Sequence, residues 1–482
     1  MGNNRPNIVM IMADQFVSNG IGALGHPFVM TPNIDRLVQA GISFNQCYCN
    51  SPLCVPSRAS MLTSRFASNI EVYDNGSELR SSIPTFVHHL RRNGYNTSLA
   101  GKMHFIGPDQ HHGFEERLSN DIHTAGFELT PDWSRGTYAN HGTGVKRLQT
   151  PGLCDGNSQM NHDENTLNST LDKIRMLGQE RSNIPFFLCT SFTQPHDPFV
   201  ITKEYWDMFK DMDVSLPKVI ASPLDDIHPY NQWIQIHHEA DVCSLSDEQI
   251  RNNRRAYYAM ICYIDDKVGQ IVRELERMKL MDNTIIIMTS DHGEMLGEHG
   301  MWFKRTFYDT ATKVPLIITW PNQLPAGRTM NSVVSLVDLG PTLLKLAGIA
   351  DADQWISESD GNSFAQLIYN NDTDWKDEAI CEYLGEGPIH PMVSLRKGHF
   401  KYVHVHGCEP LLFDLENDPC EERNLVNQSE FITVKEELAA QIAERYNFEE
   451  IEQRILQSQR ERLMMVQALQ IGECIRWEYR KS

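Results

Sequence analysis

Residues 7–13 read NIVMIMA, and Asp14 and Gln15 follow directly. Every position after the first is apolar, which is typical of a strand buried on both faces of a sheet. Four further runs have this character, with helical periodicity between them: YNTSLA (95–100), PFFLCTSF (185–192), NTIIIMTS (283–290) and VPLIITW (314–320). This alternation predicts an α/β fold, with a large mixed, mostly parallel sheet sandwiched by helices.

The character of the sequence changes after residues 336–348, LVDLGPTLLKLAG. The segments MVSLRKGHFKYVHVH (392–406) and LLFDLENDPCEERNL (411–425) predict a smaller antiparallel sheet, with two strands joined at Lys397-Gly398. The charged, helical stretch that follows predicts a long terminal helix. We therefore expect an α/β domain over residues 1–364 and a C-terminal α+β subdomain over 365–482.

The composition excludes several classes of protein. The formal net charge of −20 argues against nucleic acid or an anionic membrane as the main partner, although local cations could still hold a small anion. The eleven cysteines have no repeated spacing, so they predict neither a disulfide framework nor structural zinc. The first residues lack the features of a signal peptide, which predicts a cytoplasmic protein, or a periplasmic one if a leader was removed.

Polar residues follow four of the predicted strands, at the ends where open α/β sheets bind ligands. One such ending is common, whereas four in one chain predict a single convergent site. The four endings are Asp14-Gln15, Gly101-Lys102-Met103-His104, Thr193-Gln194-Pro195-His196 and Asp291-His292-Gly293-Glu294.

The first and last of these endings have the composition of a metal site. Asp14, Gln15, Asp291 and His292 offer three oxygen ligands and one imidazole. Such a set suits a hard divalent cation, Ca²⁺ first and Mg²⁺ next, and the imidazole also admits Mn²⁺. Either aspartate alone could instead cap a helix. Two pairs at strand ends favour metal binding.

A cysteine at a predicted helix start is a further candidate, in the sequence SPLCVPSRASMLTSR, residues 51–65. Pro56 suits the first turn of a helix, so Cys54 is expected at the N–H-rich helix start, which favours an anion. Arg58 is four residues on and can return to the same face. A buried inert thiol is the commoner fate of a lone cysteine. The residues alone leave open an inert thiol, a nucleophile or a modified residue.

Several segments resemble the type I, formylglycine-dependent sulfatases of the alkaline phosphatase-like superfamily. Residues 54–64, CVPSRASMLTS, resemble the signature C-x-P-S-R-x-x-x-L-T-G, with Ser64 at the place of the closing glycine. Further matching segments follow the family's order over nearly the whole chain: RPNIVMIMADQ, TPNIDRLVQAGISF, GKMHF, SDHGEMLGEHGMWFK, VPLIITWP and LLFDLENDPCEERNL. The resemblance implies hydrolysis of a sulfate ester to an alcohol and inorganic sulfate.

The resemblance also implies how the reaction proceeds. A formylglycine-generating or sulfatase-maturating enzyme would oxidise Cys54 to formylglycine. One hydroxyl of the aldehyde hydrate would attack sulfur, and the other would then expel sulfate. Asp14, Gln15, Asp291 and His292 match the metal positions, but Gln15 and His292 replace the usual Asp and Asn. Both departures occur in the branch that contains phosphonate monoester hydrolases and choline sulfatases.

The same resemblance implies roles for further residues. Arg58, Lys102 and Lys304 match cations that anchor the modified residue and the sulfate oxygens. His104 matches the base beside the hydrated aldehyde, and His196 matches the group that faces the leaving oxygen. Asn75 is a candidate sulfate or substrate contact, although an asparagine before glycine is first of all a turn signal.

The substrate is predicted less directly. Residues 72–118 look most like choline sulfatase, and bacterial sulfatases of glycosaminoglycan uronate 2-O-sulfates belong to a similar branch. Trp133 could help to form a cage for choline, or it could pack in the core. Choline sulfatases carry a longer C-terminal tail than the one ending here in IRWEYRKS, and the more open pocket expected without it favours a saccharide, with Gln232 among its contacts.

We therefore predict a bacterial sulfatase that acts on a sulfated saccharide, such as a glycosaminoglycan-derived uronate 2-O-sulfate. The alternatives are choline-O-sulfate, a phosphonate monoester or a phosphodiester. A binding protein with an unmodified Cys54 is the non-enzymatic alternative, and assembly into a homo-oligomer is left open.

Overall fold

The computed structural model describes residues 5–137, 143–180, 183–369 and 374–471, so the terminal IRWEYRKS lies outside the described residues. The strands are β1 (Asn7–Ala13), β2 (Ile42–Tyr48), β3 (Asn96–Gly101), β4 (Glu116–Arg117), β5 (Gly152–Leu153), β6 (Phe186–Phe192), β7 (Val200–Ile201), β8 (Thr284–Thr289), β9 (Leu316–Thr319), β10 (Arg328–Ser335), β11 (Glu378–Tyr383), β12 (Met392–Lys397), β13 (Phe400–Val405) and β14 (Leu411–Asp414). The α-helices are α1 (Pro32–Ala40), α2 (Cys54–Thr63), α3 (Ala67–Ile70), α4 (Phe86–Arg92), α5 (Ser158–Glu180), α6 (Lys203–Trp206), α7 (Pro229–His237), α8 (Asp247–Arg277), α9 (Asp309–Thr312), α10 (Leu339–Leu346), α11 (Ala352–Ser357), α12 (Ala365–Tyr369), α13 (Ile432–Arg445) and α14 (Phe448–Leu469).

The large sheet has eight strands in the order β10-β2-β9-β8-β1-β6-β3-β4. Strand β1 is parallel to both of its neighbours, β6 and β8, and β3 is parallel to β6. Among the described strands of this sheet, β9 alone runs in the opposite direction. The mixed, mostly parallel sheet predicted from the apolar runs is therefore confirmed.

Burial on both faces explains why β1 shows no polar alternation. Ile8, Met10 and Met12 are fully buried against the side of the sheet covered by α2, α4 and α10. Val9 and Ile11 are fully buried against the other side, which α1, α5 and α8 cover. Burying each such side chain contributes about 1.5–3 kcal/mol. The helix layers on both faces thus require an apolar strand at the centre of the sheet.

The second sheet consists of β11 to β14 and is antiparallel throughout. Lys397 pairs with Phe400, so a two-residue turn at Gly398 and His399 joins β12 to β13 as a hairpin, as predicted. Gly398 has a φ of +55°, which glycine adopts without steric cost. The helix α12 packs in the core of the large sheet. The domain boundary between 364 and 365 stays a prediction.

The terminal helix predicted from the sequence is divided into two helices, α13 and α14. The break falls at Tyr446 and Asn447, where the Asn447 side chain accepts a hydrogen bond from the Glu450 N–H at 3.3 Å and caps α14. Asparagine is among the residues that favour this position over a helix interior.

Two further findings concern the described residues only. None of their helices combines the length and the apolar character that crossing a bilayer requires. The ten cysteines in those ranges are free thiols.

Candidate active site

Four parallel strands end at one edge of the large sheet, so the polar residues that follow them lie at this edge. Strands β1, β3, β6 and β8 are all parallel, and they are neighbours in the order β8-β1-β6-β3. The helix α2 also begins at this edge, and all ten of its residues are buried. The polar residues that follow these strands are therefore brought to one edge by the sheet.

Asp14, Cys54, Asp291 and His292 form a buried cluster whose ligand atoms all lie within 4.8 Å of one another. The Cys54 Sγ lies 3.2 Å from the His292 Nε2. The Oδ1 atom of Asp14 is buried and has no hydrogen-bond partner among the described residues. A carboxylate oxygen left this way costs free energy unless a cation or donor meets it. The donor set therefore fits a divalent cation.

Gln15 lies beside this cluster. Its backbone N–H donates to the Asp291 Oδ1 at 3.1 Å, and its side-chain N–H₂ donates to the Glu294 carboxylate. Its Oε1 accepts a hydrogen bond from the Lys304 Nζ at 2.5 Å. Burial raises the pKa of Glu294 to about 7. The amide oxygen of Gln15 thus connects the carboxylate cluster to Lys304.

The Arg58 guanidinium lies between the two aspartates and is almost fully buried. It donates to Asp14 Oδ2 and to Asp291 Oδ2, both at 2.8 Å, and to the Lys102 carbonyl at 2.7 Å. The Lys102 Nζ lies 2.6 Å from the same Asp14 oxygen. Burial raises the pKa of Asp14, but nearby cations, Lys102 first, hold it well below its usual value. Both cations therefore keep the aspartate ionised.

The Cys54 thiol has the surroundings of a reactive group. It is the first residue of α2, and the following N–H, of Val55, donates to the Asn75 Oδ1 at 3.0 Å. The Lys102 Nζ lies 3.9 Å from the Cys54 Sγ. Burial raises the pKa of the thiol, but the charges of Lys102, Lys304 and His292 hold it well below its usual value. Inert buried thiols show the opposite shift.

His104 is held by two residues that the sequence did not single out. Its ring stacks on that of His123 with centroids 3.9 Å apart, and neither ring nitrogen of His104 has a hydrogen-bond partner within the described ranges. The Asp121 Oδ2 accepts from the backbone N–H groups of Met103 and His104 at 2.7 and 2.8 Å. No motif or spacing indicated Asp121 or His123, because both act through contacts that only the fold creates.

His196 and Lys304 form a hydrogen-bonded pair, and Lys304 joins it to Gln15. The His196 Nδ1 donates to the Asp197 carbonyl at 2.8 Å, which leaves its Nε2 to accept from the Lys304 Nζ at 2.9 Å. Asp197 is buried and forms a 2.6 Å ion pair with Arg147. Burial raises the pKa of Asp197, but His196, Lys304 and Arg147 bring it to about 2.

The three predicted substrate contacts lie in different surroundings. Asn75 is buried and joined to α2 through Val55. The Trp133 indole N–H donates to the Gly385 carbonyl at 2.9 Å, and the ring packs in a small core with residues of α14. The Gln232 side chain donates to the Ile227 carbonyl at 3.0 Å. In the described part of the chain, no hydrogen bond joins Trp133 or Gln232 to the Cys54 cluster.

The parallel sheet, the carboxylate cluster at its carboxyl edge and the cysteine at the head of a buried helix are the arrangement expected from the resemblance to sulfatases of the alkaline phosphatase-like superfamily. The family model described as sulfatase matches residues 6–349, and the model for the C-terminal region of N-sulphoglucosamine sulphohydrolase matches residues 297–447. The chain belongs to the sulfatase family and is therefore a sulfuric ester hydrolase.

Individual relatives extend this similarity over the chain. The choline-sulfatase of Rhizobium meliloti is 37% identical, over 99% of this chain and 94% of the relative. The iduronate 2-sulfatase of Mus musculus is 30% identical, over 71% of this chain and 69% of the relative. Among solved structures, the phosphonate monoester hydrolase of Agrobacterium radiobacter has a TM-score of 0.73 at 27% identity, with 91% of this chain and 94% of that chain covered.

Proposed function

We propose that this sulfatase uses residue 54, oxidised from cysteine to formylglycine, as its nucleophile, and that its substrate is a sulfated saccharide. The observation that carries the mechanism is the position of Cys54, at the head of α2 and within 4.8 Å of the ligand atoms of two aspartates and a histidine. The hydrate of formylglycine would supply one hydroxyl to attack sulfur and a second to release sulfate. A formylglycine-generating or sulfatase-maturating enzyme would be the partner that oxidises the thiol.

Asp14, Gln15, Asp291 and His292, with the modified residue 54, would hold the divalent metal. Ca²⁺ is the ion we propose, with Mg²⁺ and Mn²⁺ as alternatives, because three of the four side chains offer oxygen. A bound divalent ion supplies Lewis-acid stabilisation of developing negative charge and favours the ionised form of a ligand hydroxyl. The unpartnered Oδ1 of Asp14 supports this assignment.

The remaining residues would act on charge and protons. Arg58 would orient both aspartates, to which it donates at 2.8 Å, and Lys102 would hold the modified residue and a sulfate oxygen. His104, whose ring nitrogens are unpaired in the described structure, would accept the proton of the free hydroxyl when the sulfated hydrate returns to the aldehyde and its C–O bond to sulfate breaks.

Two residues would assist the departing alcohol. His196, whose Nε2 accepts from Lys304 at 2.9 Å, would donate a proton to the leaving oxygen once it is protonated itself. Lys304 would stabilise the sulfate oxygens from the same side, and Asn75 would contact the sulfate from the loop before α4.

A saccharide 2-O-sulfate is the substrate that we favour. The similarity to an iduronate 2-sulfatase supports it. Trp133 supports it as well, because its indole N–H is engaged by Gly385 and the residue is only 5% exposed, which suits core packing better than a cage for choline.

Choline sulfate is the second candidate because a choline-sulfatase is 37% identical over nearly the whole chain. A phosphonate monoester or phosphodiester is the third, since a phosphonate monoester hydrolase has the same fold at 27% identity.

The test is a comparison of kcat/KM on protein whose residue 54 has been converted, confirmed by peptide mass. The substrates are a uronate 2-O-sulfate disaccharide, choline sulfate, p-nitrophenyl sulfate and a phosphonate monoester. We expect p-nitrophenyl sulfate to be hydrolysed and the disaccharide to have the highest kcat/KM of the natural esters. If choline sulfate or the phosphonate had the highest kcat/KM, the proposed substrate would be wrong. If no sulfate ester were hydrolysed, the proposed mechanism would be wrong.

A further inference from the structure

A buried Arg–Glu pair adjoins the candidate active site and has no role in the mechanism above. Arg305 follows Lys304, and its backbone N–H donates at 3.2 Å to the carbonyl of Pro52, two residues before Cys54. The Nε and Nη2 of Arg305 both donate to the Glu386 Oε1, at 3.1 and 2.7 Å. The side chains of Arg305 and Glu386 are 6% and 12% exposed.

This pair leaves one donor and one acceptor unused. The Arg305 Nη1 and the Glu386 Oε2 are buried, and neither has a hydrogen-bond partner within the described residues. Leaving a buried charged group unsatisfied costs more than leaving a neutral one, so such atoms normally meet water or a ligand. Since both guanidinium bonds go to the same carboxylate oxygen, the free donor and the free acceptor belong to one ion pair.

The backbone on both sides fixes the pair near the nucleophile. The Glu386 carbonyl accepts from the Tyr383 hydroxyl at 2.6 Å, and Tyr383 is the last residue of β11. Burial lowers the pKa of Arg305, but the charge of the Glu386 carboxylate, first among the opposing causes, raises it overall, so the pair stays ionised. Because Arg305 follows Lys304 and its backbone is bonded to Pro52, close to Cys54 in the chain, a substrate group next to the sulfated carbon could meet the pair.

We propose that Arg305 and Glu386 recognise a hydroxyl group of the alcohol part of the substrate, with the Arg305 Nη1 donating to it and the Glu386 Oε2 accepting from it. A hydroxyl is both a donor and an acceptor, so one group can satisfy both atoms. The pair thus selects a sulfate ester with a free hydroxyl near the sulfate, as in a sugar. This inference rests on the proposed function, whose substrate it specifies.

The same chemistry rejects two other groups. A trimethylammonium group has neither an N–H nor a lone pair, so it would leave both atoms unsatisfied. Its charge would also meet a carboxylate that Arg305 already neutralises. A carboxylate could accept from Arg305, but it would place a negative charge beside the free oxygen of Glu386. A site built to bond a hydroxyl discriminates strongly against ligands that lack one.

The test uses Glu386→Gln, which keeps the shape and the oxygen that Arg305 binds but turns the free acceptor into a donor. Three matured variants are compared with matured wild type: Glu386→Gln, Arg305→Lys, which removes the forked donor while keeping the charge, and Arg445→Met. The control Arg445→Met breaks the 2.8 Å ion pair with Glu378 in the second sheet. The probes are a uronate 2-O-sulfate disaccharide, N-acetylglucosamine 6-sulfate, choline sulfate and p-nitrophenyl sulfate, which has no hydroxyl.

We expect Glu386→Gln and Arg305→Lys each to lower the ratio of kcat/KM on the better sugar sulfate to kcat/KM on p-nitrophenyl sulfate by about tenfold or more. Arg445→Met should leave this ratio unchanged. Equal losses on both esters would overturn the inference, because they indicate a structural role only. Wild-type preference for choline sulfate over both sugars would also overturn it. If wild type released no p-nitrophenol, the proposed function itself would fail instead.

Discussion

The thiol of Cys54 is buried, and yet its pKa is well below the usual value for cysteine. Lys102, Lys304 and His292 together outweigh the effect of burial on its pKa. A cation-rich site of this kind also suits an anionic sulfate group and the charge that develops when it is transferred. The residues that lower the pKa of the Cys54 thiol would therefore stabilise the sulfate ester once residue 54 has been oxidised.

His196 provides a prediction at the scale of one residue. His196→Ala should lower kcat for an alkyl sulfate by about 10²- to 10⁴-fold, because a poor leaving group needs a proton. The loss on p-nitrophenyl sulfate should be smaller, since p-nitrophenolate leaves without protonation. Steady-state rates on both esters measure the difference. His399→Ala, in an exposed turn, is the control and should retain both activities. Equal losses on the two esters would remove the acid role of His196.

At the scale of elements, the loop after β3 carries two of the proposed functional side chains, Lys102 and His104. Asp121 fixes this loop by accepting two backbone N–H groups and the Arg117 guanidinium, the latter at 2.8 Å. Burial raises the pKa of Asp121, but Arg117 and the imidazoles of His123 and His104 hold it far below the usual value. The ionised carboxylate therefore stabilises the folded loop.

Asp121→Asn should lower the free energy of unfolding by about 1.5–3 kcal/mol at neutral pH, because hydrogen bonds to a charged group are lost. The folded-state pKa of Asp121 is depressed, so its contribution is complete above the unfolded value of about 3.9 and is lost as the pH falls below it. Thermal unfolding of both proteins from neutral to acidic pH measures this. The midpoints should differ most above about pH 5 and should approach each other progressively as the pH falls from about 4 towards the depressed folded-state pKa. A difference independent of pH would contradict the account.

At the scale of the whole molecule, the C-terminal helix α14 is tied to the loop that carries Asn75. Arg462 donates to both oxygens of the buried Asp74, at 2.6 and 2.7 Å. Trp133 is bonded to the same helix, because its backbone N–H donates to the Gln459 Oε1 at 3.0 Å. The helix α14 thus fixes the segment that carries Asn75.

Arg462→Met should destabilise the protein by about 3 kcal/mol or more, because it leaves the carboxylate of Asp74 buried without its partner. It should also lower turnover, since Asn75 follows Asp74 directly. The matched control is Arg460→Met on the same helix, where the arginine is exposed and bonds only to Gln457 among the described residues. Denaturant unfolding and the rate on p-nitrophenyl sulfate measure both effects. Similar losses in the two variants would show that α14 contributes helix stability and not this contact.

The sequence predicted the features that depend on neighbouring residues. The apolar run before Asp14 indicated a buried strand, and Pro56 placed Cys54 at a helix start; both predictions are confirmed. The ion pair of Arg462 with Asp74 joins residues 388 positions apart, and the pair of Arg305 with Glu386 joins residues 81 apart. No pattern among neighbouring residues in the sequence predicts such contacts. The direction of β9 likewise depends on pairing, since a short apolar strand has no intrinsic direction.

The most direct test of the central claim compares turnover with the oxidation state of residue 54. The protein is prepared with and without a sulfatase-maturating enzyme. In each preparation, peptide mass spectrometry gives the fraction of residue 54 converted from cysteine, and the rate on p-nitrophenyl sulfate is measured per mole of protein. We predict that the rate rises in proportion to the converted fraction and is zero for Cys54→Ala. Full activity in a preparation that contains only unmodified Cys54 would contradict the account.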